Sequence, residues 1–589
     1  MRPLLPILLA AMVLTLRATE SGQVDLQNDA TEYPRPTLTR PDWLSLNGTW
    51  ECGFSRGTNQ AVFTNQIRVP FPVESSLAGT KHVMSELESV SYRRTFTIPP
   101  AWQGRQVWLH FEAVDWAARV WLNGKPLGTH QGGYDRFSFN LTAALNPSGQ
   151  QELTVLVTDP TDAGTEPRGK QMLHPRLPFL HSASGIWQTV WLEPAPATSI
   201  ESIRLIPDLD ASALQLVVNG RGNTNATAEA VAYAAGQEVG RAKGAVGSSF
   251  SLPVPKARPW SPEDPFLYDL KITLFENGQP ADTVGSYFGL RKISVGKGAD
   301  GYPRLCLNNH PQFELGVLDQ GYWPEGIYTA PNDEALRSDI ATVKRLGFNL
   351  CRKHVKVEPE RWYYWCDKLG VLVWQDMPNG DLTATLKEQE IKRTPRSAGQ
   401  FETELRRMVI GRGNHPCIVL WIPFNQGWGQ YDTVRITKLI KALDPSRLVM
   451  DASGWYDFGA GDVRSLHQYP GPAKPPPPDG QRAWVVGECG ALGLVIPEHS
   501  WGIMTFWNIT AFDSAEALGA GYDSLLARLQ EQKEKHGLAA AVVTELTDVE
   551  TEPDGFLTYD RQVLKLPAGR VRAANQKVLA ATIQTAARN

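Results

Sequence analysis

NHPCIVLWIPFNQGWGQ, residues Asn414 to Gln430, reads as a short apolar strand, Cys417 to Ile422, opening into a polar Phe-Asn-Gln-Gly-Trp-Gly loop. Seven further apolar runs of that kind surround it: FELGVL from Phe313, FNLCRKH from Phe348, VLVWQD from Val371, RLVMDA from Arg447, VRSLHQY from Val463, AWVVGE from Ala483 and AAVVTEL from Ala540. Between them lie amphipathic runs such as DEALRSDIATVKRLG, PERWYYWCDKLG, FETELRRMVIGRG and DTVRITKLIKALD. Short apolar strands alternating with helical patterns predict parallel βα units, and eight of them match a (β/α)8 TIM barrel, expected over 298–589. A doubly wound sheet would need fewer strands and a Gly-rich first turn, which the sequence lacks.

Upstream the texture is different. SYRRTFTI, RQVWLHFEAV, ARVWLNGKPLG, QELTVLVTD and IWQTVWLEP are short alternating segments punctuated by Gly, Asn, Asp and Pro, which predicts an antiparallel, jelly-roll-like sandwich over 28–196. Asn123-Gly124 reads as a tight hairpin turn. SIESIRLIPDL, ALQLVVNG and LYDLKITLFENG repeat that texture on a smaller scale, as expected of a seven-stranded immunoglobulin-like sandwich over 197–297. The fold class expected is thus a multidomain β plus α/β chain.

At 589 residues the chain exceeds one domain, and the 42% apolar and 20% charged content is ordinary for a soluble globular protein. A net charge of −4 supplies no basic excess for phosphates, so a nucleic-acid partner is not expected. Leu4 to Leu16 is apolar, follows one basic residue and precedes small residues near Ala18, which reads as a signal peptide over 1–19 and predicts a secreted or periplasmic protein. That stretch is too short to span a bilayer, and no stable membrane span is expected. The six Cys have irregular spacings inside apolar patterns and read as buried thiols; no metal-ligand spacing and no cofactor motif is present. Nineteen Trp favour a carbohydrate partner, because indole faces stack on sugar rings.

In a TIM barrel, functional groups gather at the C-terminal strand ends. Those ends carry Asp319, His354, Asp376, Asn425, Gln426, Asp451, His467, Tyr469, Glu488 and Glu545. Polar and acidic groups converge on one mouth without a metal pattern, which suits glycoside chemistry better than phosphate or hydride transfer.

The order sandwich, immunoglobulin-like domain, barrel resembles glycoside hydrolase family 2, and the resemblance covers nearly the whole mature chain. It is carried by SGIWQTVWLE (184–193), WSPEDPFLYDL (260–270), FGLRKI (288–293), RKHVKVEPERWYYWCDKLGVLVWQDMPN (352–379), the Asn425-Gln426 loop and GECGALGL (487–494). The resemblance implies retaining hydrolysis of a β-glycoside through a covalent glycosyl-enzyme, with Glu488 as nucleophile. It implies that Asn425 binds the hydroxyl beside the anomeric carbon, that Tyr469 hydrogen-bonds the nucleophile, and that Arg352 and His354 line the pocket with His467. Asp319, Asp376 and Asp451 are candidate hydroxyl ligands, and Trp428, Trp455 and Trp501 candidate stacking rings.

At position 426 the family has its acid/base Glu, and this chain has Gln. An amide has no proton to donate near neutral pH. Three readings follow. Another carboxylate supplies the proton, with Glu545 the candidate, since relatives tend to read Gln there and Glu at 426; the substrate has a leaving group that needs little protonation; or the chain is a carbohydrate-binding pseudoenzyme. The sugar and the oligomeric state are not readable from the sequence.

Overall fold

The structure, a computed structural model, describes residues 32–580 except 148, 224, 478 and 507. The expected signal segment, 1–19, lies outside the described residues. The chain begins as a β-sandwich. A six-stranded sheet runs in the order Asn65–Val69, Gly48–Arg56, Glu88–Thr97, Gln150–Thr158, Ala117–Leu122, Lys125–Gln131. It packs on a four-stranded sheet of Leu44–Ser45, Val190–Ala195, Gln106–Phe111 and Phe137–Asn140. Alternation works as expected: Trp50, Cys52, Tyr92, Leu109, Phe111, Leu153 and Val155 point inward and share one core. Asn123 and Gly124 both have positive φ, 53° and 74°, the conformation that a two-residue hairpin turn of matching twist requires.

The second unit has seven strands in sheets of three and four, from Ser199–Asp208 to Gln279–Phe288, around a core of Leu214, Leu216, Leu270 and Ile272. Its C-terminal end is fixed to the barrel. Arg291, fully buried, donates to the carbonyls of Pro416, Ser446 and Ile418, and Trp260 Nε1 donates to Asp367 O.

The barrel strands are β1 (Glu314–Asp319), β2 (Leu350–Lys353), β3 (Leu372–Asp376), β4 (Ile418–Ile422), β5 (Leu448–Val449), β6 (Val463–His467), β7 (Ala483–Gly490) and β8 (Ala540–Thr544). All neighbours are parallel; β8 pairs back to β1, and a single parallel bridge between Met450 and Val463 joins β5 to β6. Strands β1 to β4, β7 and β8 are buried at every residue. The helices α1 (Asp333–Arg345), α2 (Glu360–Leu369), α3 (Pro395–Arg412) and α4 (Thr433–Leu443) fall on the four amphipathic runs quoted above, with α5 (Ala515–His536) and α6 (Ala568–Ala580) following β7 and β8. Local chemistry sets their ends: Asn332 accepts from Ala335 N at the start of α1, and Gly370 in the left-handed region closes α2.

The structure corrects the expectation of eight full βα repeats. Among the described residues no helix follows β5 or β6. After β5 the chain turns through Gly454, Gly459 and Gly461, all at positive φ. After β6 it passes through Pro470, Pro472 and Pro475 to Pro477, which lack the amide hydrogens a helix needs. The barrel still closes because strand pairing, not the outer helices, joins its wall. All six cysteines are buried free thiols, as their spacing suggested.

Candidate active site

The C-terminal strand tips surround a cleft of about 470 Å³. At its floor, Arg352 on β2 places all five of its N–H donors. Nε and Nη2 donate to the two carboxylate oxygens of Asp376 at 3.1 and 2.9 Å, and Nη2 also to Asn425 Oδ1 at 2.9 Å. Nη1 donates to Gly487 O at 3.1 Å and to Glu488 Oε1 at 3.0 Å. Asp376 is thereby committed to the guanidinium, and accepts from Val355 N too, with His354 Nδ1 at 3.2 Å. It orients the group that orients Glu488.

Glu488 lines the cleft from β7. Tyr469 donates to its Oε2, His467 Nδ1 is 3.4 Å from that oxygen, and His354 Nδ1 is 3.7 Å from Oε1. Burial favours the neutral acid, but His467, Arg352, His354 and the Tyr469 hydrogen bond together outweigh it and lower the carboxyl to about 2. The group is an ionised carboxylate at neutral pH. Burial lowers His467 to about 4, so its ring is neutral at neutral pH and its charge acts on Glu488 only in acid, where that carboxyl titrates.

Asn425 presents a defined face. Arginine can only donate, so the atom facing Arg352 is the carboxamide oxygen, which leaves the NH2 group for the cleft that Asn425 lines. Gln426, with φ of 51°, is held by its backbone N–H on Ser453 O at 2.8 Å, and its Nε2 lies 2.8 Å from His467 Nδ1. With the amide donating, Nδ1 accepts, and Nε2 lies 2.8 Å from Ser453 Oγ and 3.4 Å from Arg352 Nη1. Gln426 and Glu488 therefore flank one imidazole nitrogen.

Glu545, just after β8, has a different setting. Its Oε2 accepts from Gln320 Nε2 at 2.7 Å, and the same amide nitrogen reaches Glu552 Oε2 at 3.0 Å. Burial, then Asp554 and Glu552, push the Glu545 carboxyl well above its usual range. β8 is the hydrogen-bonded neighbour of β7, pairing Cys489 with Val543 and Gly490 with Thr544. Glu545 thus stands on the side of the cleft that carries Glu488, whereas Gln426 follows β4, across the barrel.

Other expected residues fall into two groups. His354, His467, Tyr469, Trp428 and Trp455 line the cleft, Trp428 with its ring against Phe179 and Trp455 half-exposed. Arg352, Asp319, Asp376, Asp451 and Trp501 do not line it, Arg352 and Asp376 being buried beneath it as an ion pair. Asp319 accepts from Lys353 Nζ at 2.7 Å and from Gly321 N, Asp451 accepts from the amides of Ala452, Phe458 and Ala460, and Trp501 packs on Tyr559 and His181. The sequence reading missed Lys170, Phe179, Gln320, Glu552 and Asp554, which also line the cleft. Lys170 and Phe179 come from a sandwich loop whose Arg168 and Gly169 amides bond Asn379 O, a contact without local sequence signal. Glu552 and Asp554 did carry one, the acid-rich run VETEPDG directly after Glu545. A further cavity of about 280 Å³, where Glu112 and Gln188 meet Tyr328, lies between the sandwich and the barrel and includes none of these groups.

Comparison with known proteins agrees with this architecture. Three family models match in succession: "Glycosyl hydrolase 2 galactose-binding domain-like" at 74–185, "Glycosyl hydrolases family 2" at 198–291 and "Glycosyl hydrolases family 2, TIM barrel domain" at 329–462. The chain belongs to glycoside hydrolase family 2. It is 27% identical over 486 residues to a β-galactosidase of Aeromonas hydrophila, an alignment spanning 75% of this chain and 45% of that protein. A Klebsiella pneumoniae β-galactosidase is 27% identical over 462 residues, 74% of this chain and 42% of the other. The chain thus spans less than half the length of these relatives. Among solved structures, Bifidobacterium dentium β-glucuronidase superposes with a TM-score of 0.73 at 20% identity, covering 94% of this chain and 99% of that one. Ruminococcus gnavus β-glucuronidase gives 0.72 at 18%, covering 93% and 99%; at these identities the likeness concerns the fold.

Proposed function

We propose that the chain hydrolyses β-linked glycosides by a retaining mechanism in which Glu488 attacks the anomeric carbon and the sugar–oxygen bond to the leaving group breaks. The observation that carries this reading is the Glu488 carboxylate, ionised, open to the cleft, and held by Arg352 and Tyr469 at both oxygens. The Asn425 NH2 group binds the hydroxyl next to the anomeric carbon, and Trp428 and Trp455 offer rings to the sugar. Similarity to β-galactosidases over three-quarters of the chain supports a β-glycoside as the substrate class.

Gln426 leaves the departing oxygen without a proton donor where the family has one. Turnover then depends on the leaving group, and Glu545, on the nucleophile's side of the cleft, receives a binding role below. Incubation with an activated 2-fluoro glycoside and peptide mass mapping tests the reading: Glu488 is the expected site of labelling. A label elsewhere, with Glu488→Gln still turning over, would overturn it.

The carbohydrate-binding alternative is favoured by one observation, the Gln426 amide already engaged with His467. Sugar binding by calorimetry with no labelling and no aryl glycoside turnover would establish it. We further propose export, on the apolar stretch Leu4 to Leu16. The intact mass of protein recovered from the host's exterior or periplasm should lack the first 18 or so residues.

A further inference from the structure

One wall of the cleft is more acidic than nucleophilic catalysis needs. Four carboxyls line the cleft, Glu488, Glu545, Glu552 and Asp554, and Lys170 is the one lysine or arginine among the described residues lining it. Lys170 Nζ stands 3.8 Å from Glu552 Oε2 and covers that carboxyl alone. Glu488 belongs to Arg352. Among the described residues no lysine or arginine forms an ion pair with Glu545 or Asp554, although they are 2% and 8% exposed.

Hydrogen-bond capacity defines the missing partner. Glu545 Oε1 and Gln320 Oε1 are both buried with no partner among the described residues, and both side chains line the cleft at 2% and 4% exposure. Gln320 Oε1 is an acceptor, and Glu545 Oε1 becomes one when its carboxyl gives up its proton. Leaving such a group unpaired is unfavourable, more so when it is charged, so the corner is built for a donor. A sugar hydroxyl supplies one hydrogen and brings lone pairs of its own into a carboxylate cluster. An ammonium supplies three hydrogens, no lone pair and the opposite charge.

We propose that the corner formed by Glu545, Gln320, Glu552 and Asp554 binds an ammonium group on the sugar, so that the cleft prefers amino-substituted β-glycosides over neutral ones and rejects uronates. The inference rests on the cleft being a glycoside site, and deepens that reading by naming the substrate class.

The protonation of the corner agrees with it. Burial, Glu552 and Asp548 push Asp554 up to about 7 against the pull of Lys565, and Glu545 is raised by burial, Asp554 and Glu552 against Lys170 and Gln320. Empty, the corner therefore retains protons that an entering cation displaces. Binding should release protons, whereas a neutral sugar releases none and a uronate takes them up.

Calorimetry on the full chain tests this with methyl β-glucosaminide and methyl β-galactosaminide. Each is compared with its neutral, N-acetylated and uronic counterpart, at about pH 6, where the amine is charged, in two buffers of different ionisation enthalpy. In at least one sugar series the amino glycoside should bind 10-fold or more tighter than the neutral one, about 1.4 kcal/mol, with protons released to the buffer. The N-acetyl form, which keeps the position and loses the charge, should bind no better than the neutral sugar. Glu545→Gln and Asp554→Asn, which keep shape and remove charge, should bring amino and neutral affinities together. Neutral glycosides that bind as tightly as amino ones, or amino binding without proton release, would overturn this inference alone. No binding by any of these sugars, together with failure of Glu488 labelling, would overturn it along with the hydrolase reading.

Discussion

At position 426 a carboxamide lies 2.8 Å from an imidazole nitrogen that is itself 3.4 Å from the Glu488 carboxylate. Replacing one amide by a carboxyl should therefore return a proton donor to a site already shaped for it. General-acid catalysis contributes roughly 10²–10⁴-fold, so Gln426→Glu should speed cleavage of poor leaving groups by about that factor and change activated aryl glycosides little. Rates across a series of aryl and alkyl leaving groups measure this; equal gains throughout the series would show that position 426 acts otherwise. Glu545→Gln separates the remaining roles. If Glu545 were the proton donor, that variant would lose natural linkages and spare aryl ones, whereas a ligand for the sugar changes affinity for both alike. Tyr469 supports the proposed nucleophile by donating to Glu488 Oε2, which stabilises the ionised form. A hydrogen bond to a charged group contributes about 1.5–3 kcal/mol, so Tyr469→Phe should lower kcat roughly 10- to 100-fold. Glu488 is held near 2, below its ordinary value, so its ionised form persists as pH falls through the usual carboxylate range. Losing the Tyr469 donor should move the acid limb of kcat/KM upward, toward that range. An unshifted acid limb would show that Tyr469 does not set the charge on Glu488. Much of this site was legible because barrel geometry sends strand-end residues to one mouth: Asn425, Gln426, Tyr469 and Glu488 meet there. Asp319 was misleading because a strand-end carboxylate looks alike whether it faces the cleft or, as here, a buried lysine.

Strands and helices were readable where a pattern repeats and unreadable where it breaks. The run Cys417 to Ile422 became β4 because every side chain in Ile418–Ile422 is buried. The missing helices after β5 and β6 follow from glycine and proline chemistry that was visible in DASGWYDFGAG and HQYPGPAKPPPPDG, but the count of eight repeats hid it. The elements also carry buried polar groups that patterning cannot show. Glu314, at the start of β1, accepts from Trp374 Nε1 of β3 at 2.7 Å, and burial pushes its carboxyl up to about 7. A carboxyl raised in the folded state binds its proton more tightly there than in the unfolded chain. Its stabilisation is complete below the ordinary value of about 4.5 and is lost as pH rises through about 7. The loss is on the order of 3 kcal/mol for one such group. Glu314→Gln keeps an acceptor for Trp374 and removes the proton. Urea unfolding between about pH 5 and pH 8 should therefore show a flatter pH dependence in the variant than in the wild type. Parallel curves would mean that Glu314 is ionised in both states.

Across the whole molecule, the cleft belongs to more than one domain. The barrel supplies Glu488, Asn425 and Gln426, while the sandwich sends Lys170 and Phe179 over the mouth, anchored by two amides on Asn379 O. Such a shared site works only if the domains hold a fixed relation, and Arg291 is placed to hold it. It sits where the immunoglobulin-like domain joins the barrel, and donates to carbonyls before β4, on β4 and before β5. Burial and the nearby Arg447 lower its pKa to about 9, which still leaves it charged at neutral pH. Arg291→Met keeps most of the volume and leaves the Pro416 and Ser446 carbonyls without their donor, while Ile418 O keeps Arg447 Nε at 2.8 Å. At about 1–3 kcal/mol for each unpaired group, the variant should lose several kcal/mol. That loss falls on the contact between domains rather than on any one core, so its signature is distinct from ordinary destabilisation. In scanning calorimetry the wild-type chain should unfold in one cooperative transition, and Arg291→Met should separate barrel from sandwiches into two. A cleft ligand should raise the wild-type midpoint as a unit, because both partners of the site gain from it. In the variant it should draw the two transitions back together. Two transitions in the wild type, or a single unshifted one in Arg291→Met, would place the coupling between domains elsewhere than at this arginine.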